Sequence, residues 1–231
     1  MKNLSLLLIV LITSCLSDIK KKDKVISIVL DSVEKRGDFR DETGALLDYT
    51  KAMADYDQAI ALNYLDADAY MKRGYAKYRF EDYNDAIADY SRAIELKHDA
   101  ESYIMRGFVK RALFDYRGAI DDFTKAIELK PDATKSEFHN TSSKAGFYKN
   151  RGFVKNELKD YIGALADYNK AIELDPKNRL CAALNYMERA EIKYNLQDLD
   201  GACLDWSKAG ELFGKLQIYG GPYDKIFKYC R

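Results

Sequence analysis

The sequence predicts an all-α fold: an α-solenoid of five helix pairs closed by a C-terminal capping helix. Three observations predict it. The first is self-similarity. The text "YMKRGYAKYRFEDYNDAIADYSRAIELK" from Tyr70 returns as "IMRGFVKRALFDYRGAIDDFTKAIELKP" from Ile104 and as "YKNRGFVKNELKDYIGALADYNKAIELDP" from Tyr148. Repeats of this size are units that bury their apolar faces only by stacking. The second is composition, with three prolines, 47% hydrophobic residues, and 37 basic residues balanced by 37 acidic ones. Few prolines and mixed charge suit helices, and zero net charge supplies no field drawing the chain to nucleic acid. The third is spacing. A small residue is followed 12 positions later by Ala, then 4 later by an aromatic and 3 later by Ala: Gly74-Ala86-Tyr90-Ala93, Gly107-Ala119-Phe123-Ala126, Gly152-Ala164-Tyr168-Ala171 and Ala190-Ala202-Trp206-Ala209. A first copy reads Gly37, then Ala52-Tyr56-Ala59, with three extra residues between its helices. Small residues let two antiparallel helices approach, and the aromatic one turn on fills the same face.

The elements follow in chain order. "MKNLSLLLIVLITSC" carries one basic residue (Lys2) and an apolar stretch from Leu4 to Ile12. That stretch is too short to span a bilayer but suits a secretory signal. Ile12-Thr13-Ser14-Cys15 resembles the bacterial lipobox. The resemblance implies that residues 1–14 are a lipoprotein signal peptide, with Cys15 becoming the lipid-bearing first residue of the mature protein. Two or more acyl chains, palmitate among them, then hold it to a membrane. The alternative is an ordinary cleaved signal with a cysteine near its end. Leu16 rather than Asp follows the cysteine, which by the same resemblance points to the outer membrane, with its two faces both open. Residues 15–24, "CLSDIKKKDK", have little to bury and read as a polar tether.

The repeats then occupy residues 25–64, 65–98, 99–131, 132–176 and 177–213, followed by a capping segment at 214–231. In register over residues 25–213, they resemble the tetratricopeptide repeat. One position departs from that family. Where it usually has Leu before the Gly, this chain has Arg36, Arg73, Arg106, Arg151 and Arg189, and each copy has Asp before its second-helix aromatic: Asp55, Asp89, Asp122, Asp167 and Asp205. The last four pairs are 16 residues apart, so the two changes travel together and predict partly buried Arg–carboxylate forks. A row of arginines reading phosphate would require those carboxylates to be elsewhere. From Gly107 to Gly152 the interval is 45 residues against a period of 33 or 34, which places an insertion at about 133–146, within "DATKSEFHNTSSKAG" from Asp132. It reads as a loop or an extended helix start, either a tolerated surface segment or a carrier of specificity. The interval from Gly152 to Ala190 is 38, so the fifth first-helix should start early, near Leu180. Gly220-Gly221-Pro222 turns the chain into a helix from Tyr223 to Tyr229, with Ile226, Phe227 and Cys230 facing inward as an end cap.

The chemistry is sparse. His98 and His139 are the two histidines, and neither has ligands at metal spacing. No phosphate-cradling loop and no nucleophile elbow is present. The expectation is no enzyme activity, no cofactor, no metal, no nucleic acid and no small-molecule substrate. Given the tetratricopeptide resemblance, Cys203 follows Ala202 on the last second-helix and faces the cap that carries Cys230. The two form either a disulfide or two small buried side chains, with Cys181 left over.

The resemblance also implies a concave wall built from first helices that holds a peptide or protein segment. Its positions here are Met71, Tyr75 and Tyr78; Ile104, Phe108 and Arg111; Lys149, Phe153 and Asn156; and Met187 and Tyr194, with Glu191 where the aromatics stand in other copies. Aromatics, Met and Arg are common at interface hot spots. The competing reading is that Tyr75, Phe108 and Phe153 form a packing ladder between repeats. The family's chaperone-binding members place Asn at that wall position, so that activity is not carried over. The expected function is a lipid-anchored, non-enzymatic adaptor of the bacterial cell envelope that binds a protein partner. A structural subunit using its convex face and cap is the alternative.

Overall fold

The computed structural model describes residues 45–130, 143–215 and 223–230. The expected signal peptide, Cys15, the expected tether, the expected first helix of repeat 1 with Arg36 and Gly37, the expected insertion up to residue 142, His139, the expected Gly220–Pro222 turn and the side chain of Phe227 lie outside the described residues. The chain divides into two compact units in sequence between His98 and Asp99. The first unit holds α1 (Ala45–Leu62), α2 (Ala67–Arg79) and α3 (Tyr83–Leu96). The second holds α4 (Ala100–Ala112), α5 (Tyr116–Leu129), α6 (Lys144–Glu157), α7 (Tyr161–Leu174), α8 (Arg179–Asn195), α9 (Leu199–Lys215) and α10 (Tyr223–Tyr229). Among the described residues every regular element is a helix. Within each unit, each helix packs on the next. The protein is all-α.

Helix starts and stops are written locally. Asp66, Asp99, Ser143 and Asn178 cap α2, α4, α6 and α8 by accepting backbone N–H bonds from the first turn. The Asn178 cap starts α8 at Arg179, a turn ahead of the register of the other first helices. The four described first helices, α2, α4, α6 and α8, each end in the same double hydrogen bond. In α6, Lys159 N–H donates to Asn156 O at 2.9 Å and Asp160 N–H donates to Lys155 O at 2.9 Å. This is the Schellman arrangement, with a left-handed residue outside the helix. That residue is Glu81, Phe114, Lys159 or Gln197, with φ of 63°, 61°, 62° and 65°. None of the four is a glycine. The next Asp begins the second helix. Asp115, Asp160 and Asp198 accept from the N–H of Gly118, Gly163 and Gly201. A Cβ on any of these glycines would collide with the capping carboxylate. Asp82 makes no such side-chain bond, and its third residue on is Asp85, a second carboxylate.

The core sits between paired helices. Ala86, Tyr90 and Ala93, then Ala119, Phe123 and Ala126, then Ala164, Tyr168 and Ala171, are all buried. A Cβ at Gly107 would lie 2.5 Å from the Phe123 ring, so this helix pair closes only over a residue without a side chain.

The arginine and aspartate changes are one network. Arg151 donates from Nε and Nη2 to Asp167 at 2.9 and 2.7 Å. Arg73–Asp89, Arg106–Asp122 and Arg189–Asp205 repeat the fork. The structure adds three partners that the sequence reading did not include. A lysine four residues after each arginine joins the same carboxylate, as Lys155 does to Asp167 at 2.8 Å. A tyrosine three residues before it lies against the guanidinium: Tyr70, Tyr103, Tyr148 and Tyr186. The remaining arginine nitrogen reaches back to the preceding repeat's second helix, to Asp57 from Arg73, Thr124 from Arg151 and Asn169 from Arg189. Each network therefore ties its own two helices together, and in these three cases it also ties one repeat to the one before.

The end cap closes the second unit. Ile226, Tyr229 and Cys230 of the α10 segment pack on Ala190, Ala202 and Trp206, and Tyr229 stacks on Trp206 at 6.0 Å. Cys203 and Cys230 are joined as a disulfide with their Cα atoms 5.5 Å apart. Cys181 is a buried thiol, and burial raises its pKa.

Candidate functional site

The wall residues emerge from the first helices, whose opposite side is committed to the pairing just described. In the first unit, α2 carries Met71, Tyr75 and Tyr78. Tyr75 is 42% exposed, and its hydroxyl accepts from Arg79 Nη1 at 3.2 Å. Tyr78 tilts against Tyr83 with ring centroids 5.9 Å apart.

In the second unit the structure brings three wall residues together. The Arg111 guanidinium carbon lies 5.4 Å from the centroid of Phe108 and 5.4 Å from that of Phe153. Phe108 in turn meets the core ring of Phe123 edge-on at 5.7 Å. Phe108 and Phe153 thus flank a cation, one ring from α4 and the other from α6. Arg111 Nη1 also donates to Asn150 Oδ1 at 3.2 Å, and Asn150 Nδ2 donates to Gly146 O at 2.7 Å. Asn150 is 5% exposed, so the sandwich rests on a buried, satisfied amide. Its signal in the sequence was an amide at a repeat position where the other copies carry Lys35, Lys72, Met105 and Glu188.

Other expected wall residues have different surroundings. Ile104 is 2% exposed; it is packing, not open surface, because its side chain falls on the buried stripe of α4. Met187 packs beside Ala183, Ala209 and Phe213. Tyr194 lies under the cap, 4.9 Å from Tyr229 and 5.8 Å from Trp206. Glu191 accepts from Trp206 Nε1 at 3.1 Å and pairs with Lys225 of α10, so the cap seals that end of the wall. Asn156 keeps its Oδ1 buried without a hydrogen-bond partner. Lys149 acts on Glu188, whose pKa is raised by desolvation and by the neighbouring Glu191 carboxylate. Burial holds the Tyr168 hydroxyl above its ordinary range, with Glu188 and Glu157 adding to the shift and Arg111 opposing it. Among the described residues no cluster of His, Cys, Asp and Glu could hold a metal ion, and no helix is long and apolar enough to cross a membrane.

Paired helices in register, with one helix of each pair offering aromatic and cationic side chains, define a helical-hairpin repeat protein. The particular repeat is identified by comparison. Tetratricopeptide-repeat family profiles match residues 67–99, 100–133 and 145–178, so these three segments are tetratricopeptide repeats. No curated protein sequence matches it. Among solved structures, it is similar to MamA from Desulfovibrio magneticus RS-1, with 14% identity and a TM-score of 0.67 over 83% of this chain and 96% of that one. It is also similar to YrrB, described as a tetratricopeptide-repeat protein with an unusual peptide-binding site, with 19% identity and a TM-score of 0.58 over 73% and 80% of the two chains. A third similar structure is PilF of Pseudomonas aeruginosa, with 15% identity and a TM-score of 0.60 over 83% and 76%. At these identities the likeness is one of fold. Tetratricopeptide repeats are in general a protein-interaction fold, and the chain is a protein-interaction scaffold.

Proposed function

We propose that this chain is a non-enzymatic adaptor, lipid-anchored at Cys15 in a bacterial cell envelope, that holds a peptide or protein segment along its first-helix wall. The observation that carries the reading is the Phe108–Arg111–Phe153 sandwich. Aromatic and arginine side chains, held rigid by packing yet reachable from solvent, are the residue types on which binding energy concentrates. The peptide-binding description of YrrB supports the same use of the fold. The lipid anchor rests on the Ile12–Cys15 motif, and the outer membrane on Leu16.

A second reading has an observation of its own. Phe114 is 77% exposed and Ile162 is 73% exposed, both near helix turns away from the wall. A structural subunit contacting its assembly through that edge would use them.

Crosslinking in intact cells separates the two readings. Replacing Phe108 and Phe153 by Ala should abolish the crosslinked partner if the wall binds, since each hot-spot truncation costs about 2 kcal/mol or more. Partner capture that persists in this double variant and is lost in Phe114→Ser with Ile162→Ser would overturn the adaptor reading. For the anchor, metabolic labelling with an alkynyl palmitate should mark the wild-type chain and leave Cys15→Ser unmarked. A label that survives in Cys15→Ser refutes it.

A further inference from the structure

Arg111 differs from the other arginines of the first helices that lie in the network. Arg73, Arg106, Arg151 and Arg189 each spend two nitrogens on a buried carboxylate. Arg111 pairs with no carboxylate among the described residues. Among the described residues its polar contact is the amide oxygen of Asn150 at 3.2 Å, and its guanidinium lies 5.4 Å from the ring centroids of both Phe108 and Phe153. A guanidinium packed near two rings and tied at one corner has lost rotational freedom before any partner arrives. The residue is only partly buried, so its remaining N–H groups are open at the wall. Five donors in a rigid fork, one of them used, leave an edge matched to a carboxylate.

We infer that Arg111 is the specificity anchor of the wall, and that it receives an acidic side chain from within the bound segment. The inference rests on the wall being the binding face, and it adds what kind of segment the wall takes. A carboxylate fits one open fork, whereas phosphate recognition gathers clusters of arginines. The acid is placed within a segment because α6 carries further partly exposed wall residues beside Phe153, Lys149 and Asn156, which a bound chain passing the guanidinium would meet. The two rings beside the guanidinium are themselves only partly buried, so an apolar residue next to the acid can contact them. Phe108 and Phe153 thus do two jobs, orienting the cation and contacting the neighbour.

The test is a selection of random twelve-residue peptides displayed at the N-terminus of a phage coat protein, so that no free C-terminal carboxylate is present, on the full-length chain in detergent micelles. Enriched peptides should share an Asp or Glu beside an apolar residue. A chosen peptide should bind Arg111→Gln at least tenfold more weakly, the loss expected for a charge-assisted hydrogen bond, and its affinity should fall as salt rises. Selection on Arg111→Glu should shift the enriched position to Lys or Arg. Arg111→Gln keeps a side-chain N–H for the buried Asn150 amide oxygen, so its far-ultraviolet circular dichroism should match wild type, which assigns the lost affinity to the guanidinium and not to unfolding. Peptides that bind, are lost with Phe108→Ala and Phe153→Ala, yet show no acidic preference or keep it in Arg111→Gln, overturn this inference and leave the wall reading standing. Failure to enrich any peptide, or enrichment indifferent to both phenylalanines, overturns both.

Discussion

Asp167 is where the arginine network can be made to fail in a predictable order. Its side chain is 4% exposed and accepts from Arg151 Nε, Arg151 Nη2 and Lys155 Nζ at 2.9, 2.7 and 2.8 Å. Asp167→Asn preserves the shape and removes the only carboxylate that the fork holds, leaving two partly buried cations side by side. Removing one partner from a buried pair costs about 3–5 kcal/mol. The cations retain 15% and 18% side-chain exposure, so some hydration returns and the lower end, about 3 kcal/mol, is expected. Arg151→Leu should cost less, about 1–2 kcal/mol, because Lys155 still neutralises Asp167 and no charge is stranded. The double variant should lose less than the sum, by about 1–2 kcal/mol, since Asn then faces one cation in place of two. Repeat arrays need not unfold in one step, so the assay is native-state hydrogen exchange of the α6 and α7 amides, with urea unfolding by circular dichroism beside it. The reasoning fails if Asp167→Asn stays within 1 kcal/mol of wild type, or if Arg151→Leu proves as damaging. Either result would mean that the carboxylate is not what keeps these cations compatible with burial.

Two further predictions concern the ends of helices. The Cys203–Cys230 bond spans 27 residues of sequence, and closing a loop of that length in the unfolded chain removes entropy worth about 3.6 kcal/mol at 25 °C. Cys230→Ser should lower global stability by an amount of that order and make α10, at seven residues too short to persist alone, the first site of proteolysis; equal protease resistance with and without the bond would refute the staple. Lys159 holds φ of 62° at the end of α6, a conformation costing an L-residue about 1 kcal/mol. Lys159→Gly should therefore raise the urea midpoint, and Lys159→Val should lower it. If both destabilise equally, the side chain of Lys159 matters more than its backbone.

What the sequence disclosed and what it withheld divide along one physical line. Helix pairing was legible because it depends on residues close in register: the small residue, the alanines and the aromatic recur at fixed offsets, and Gly107 against Phe123 shows the contact they encode. The Arg–Asp fork was legible for the same reason, since both partners change together 16 residues apart. The lysine and tyrosine that complete each network stand at equally regular positions, but one such residue on a helix reads as solvated surface until its carboxylate is seen to be buried. The wall obeyed a different rule. Whether a first-helix residue is open depends on what covers it, and nothing in its own repeat says so. Ile104 and Phe108 are one turn apart on α4, yet only the second touches the cation, and Tyr194 shares the position of Arg111 but is covered by Tyr229 from a segment 35 residues away (194 to 229). Arg111 acquires its character from α6, because Asn150 and Phe153 both arrive from the far side of the insertion. A binding site in a repeat protein is thus written between copies. For this chain the informative comparison is the carboxylate that each network arginine has and that, among the described residues, Arg111 lacks.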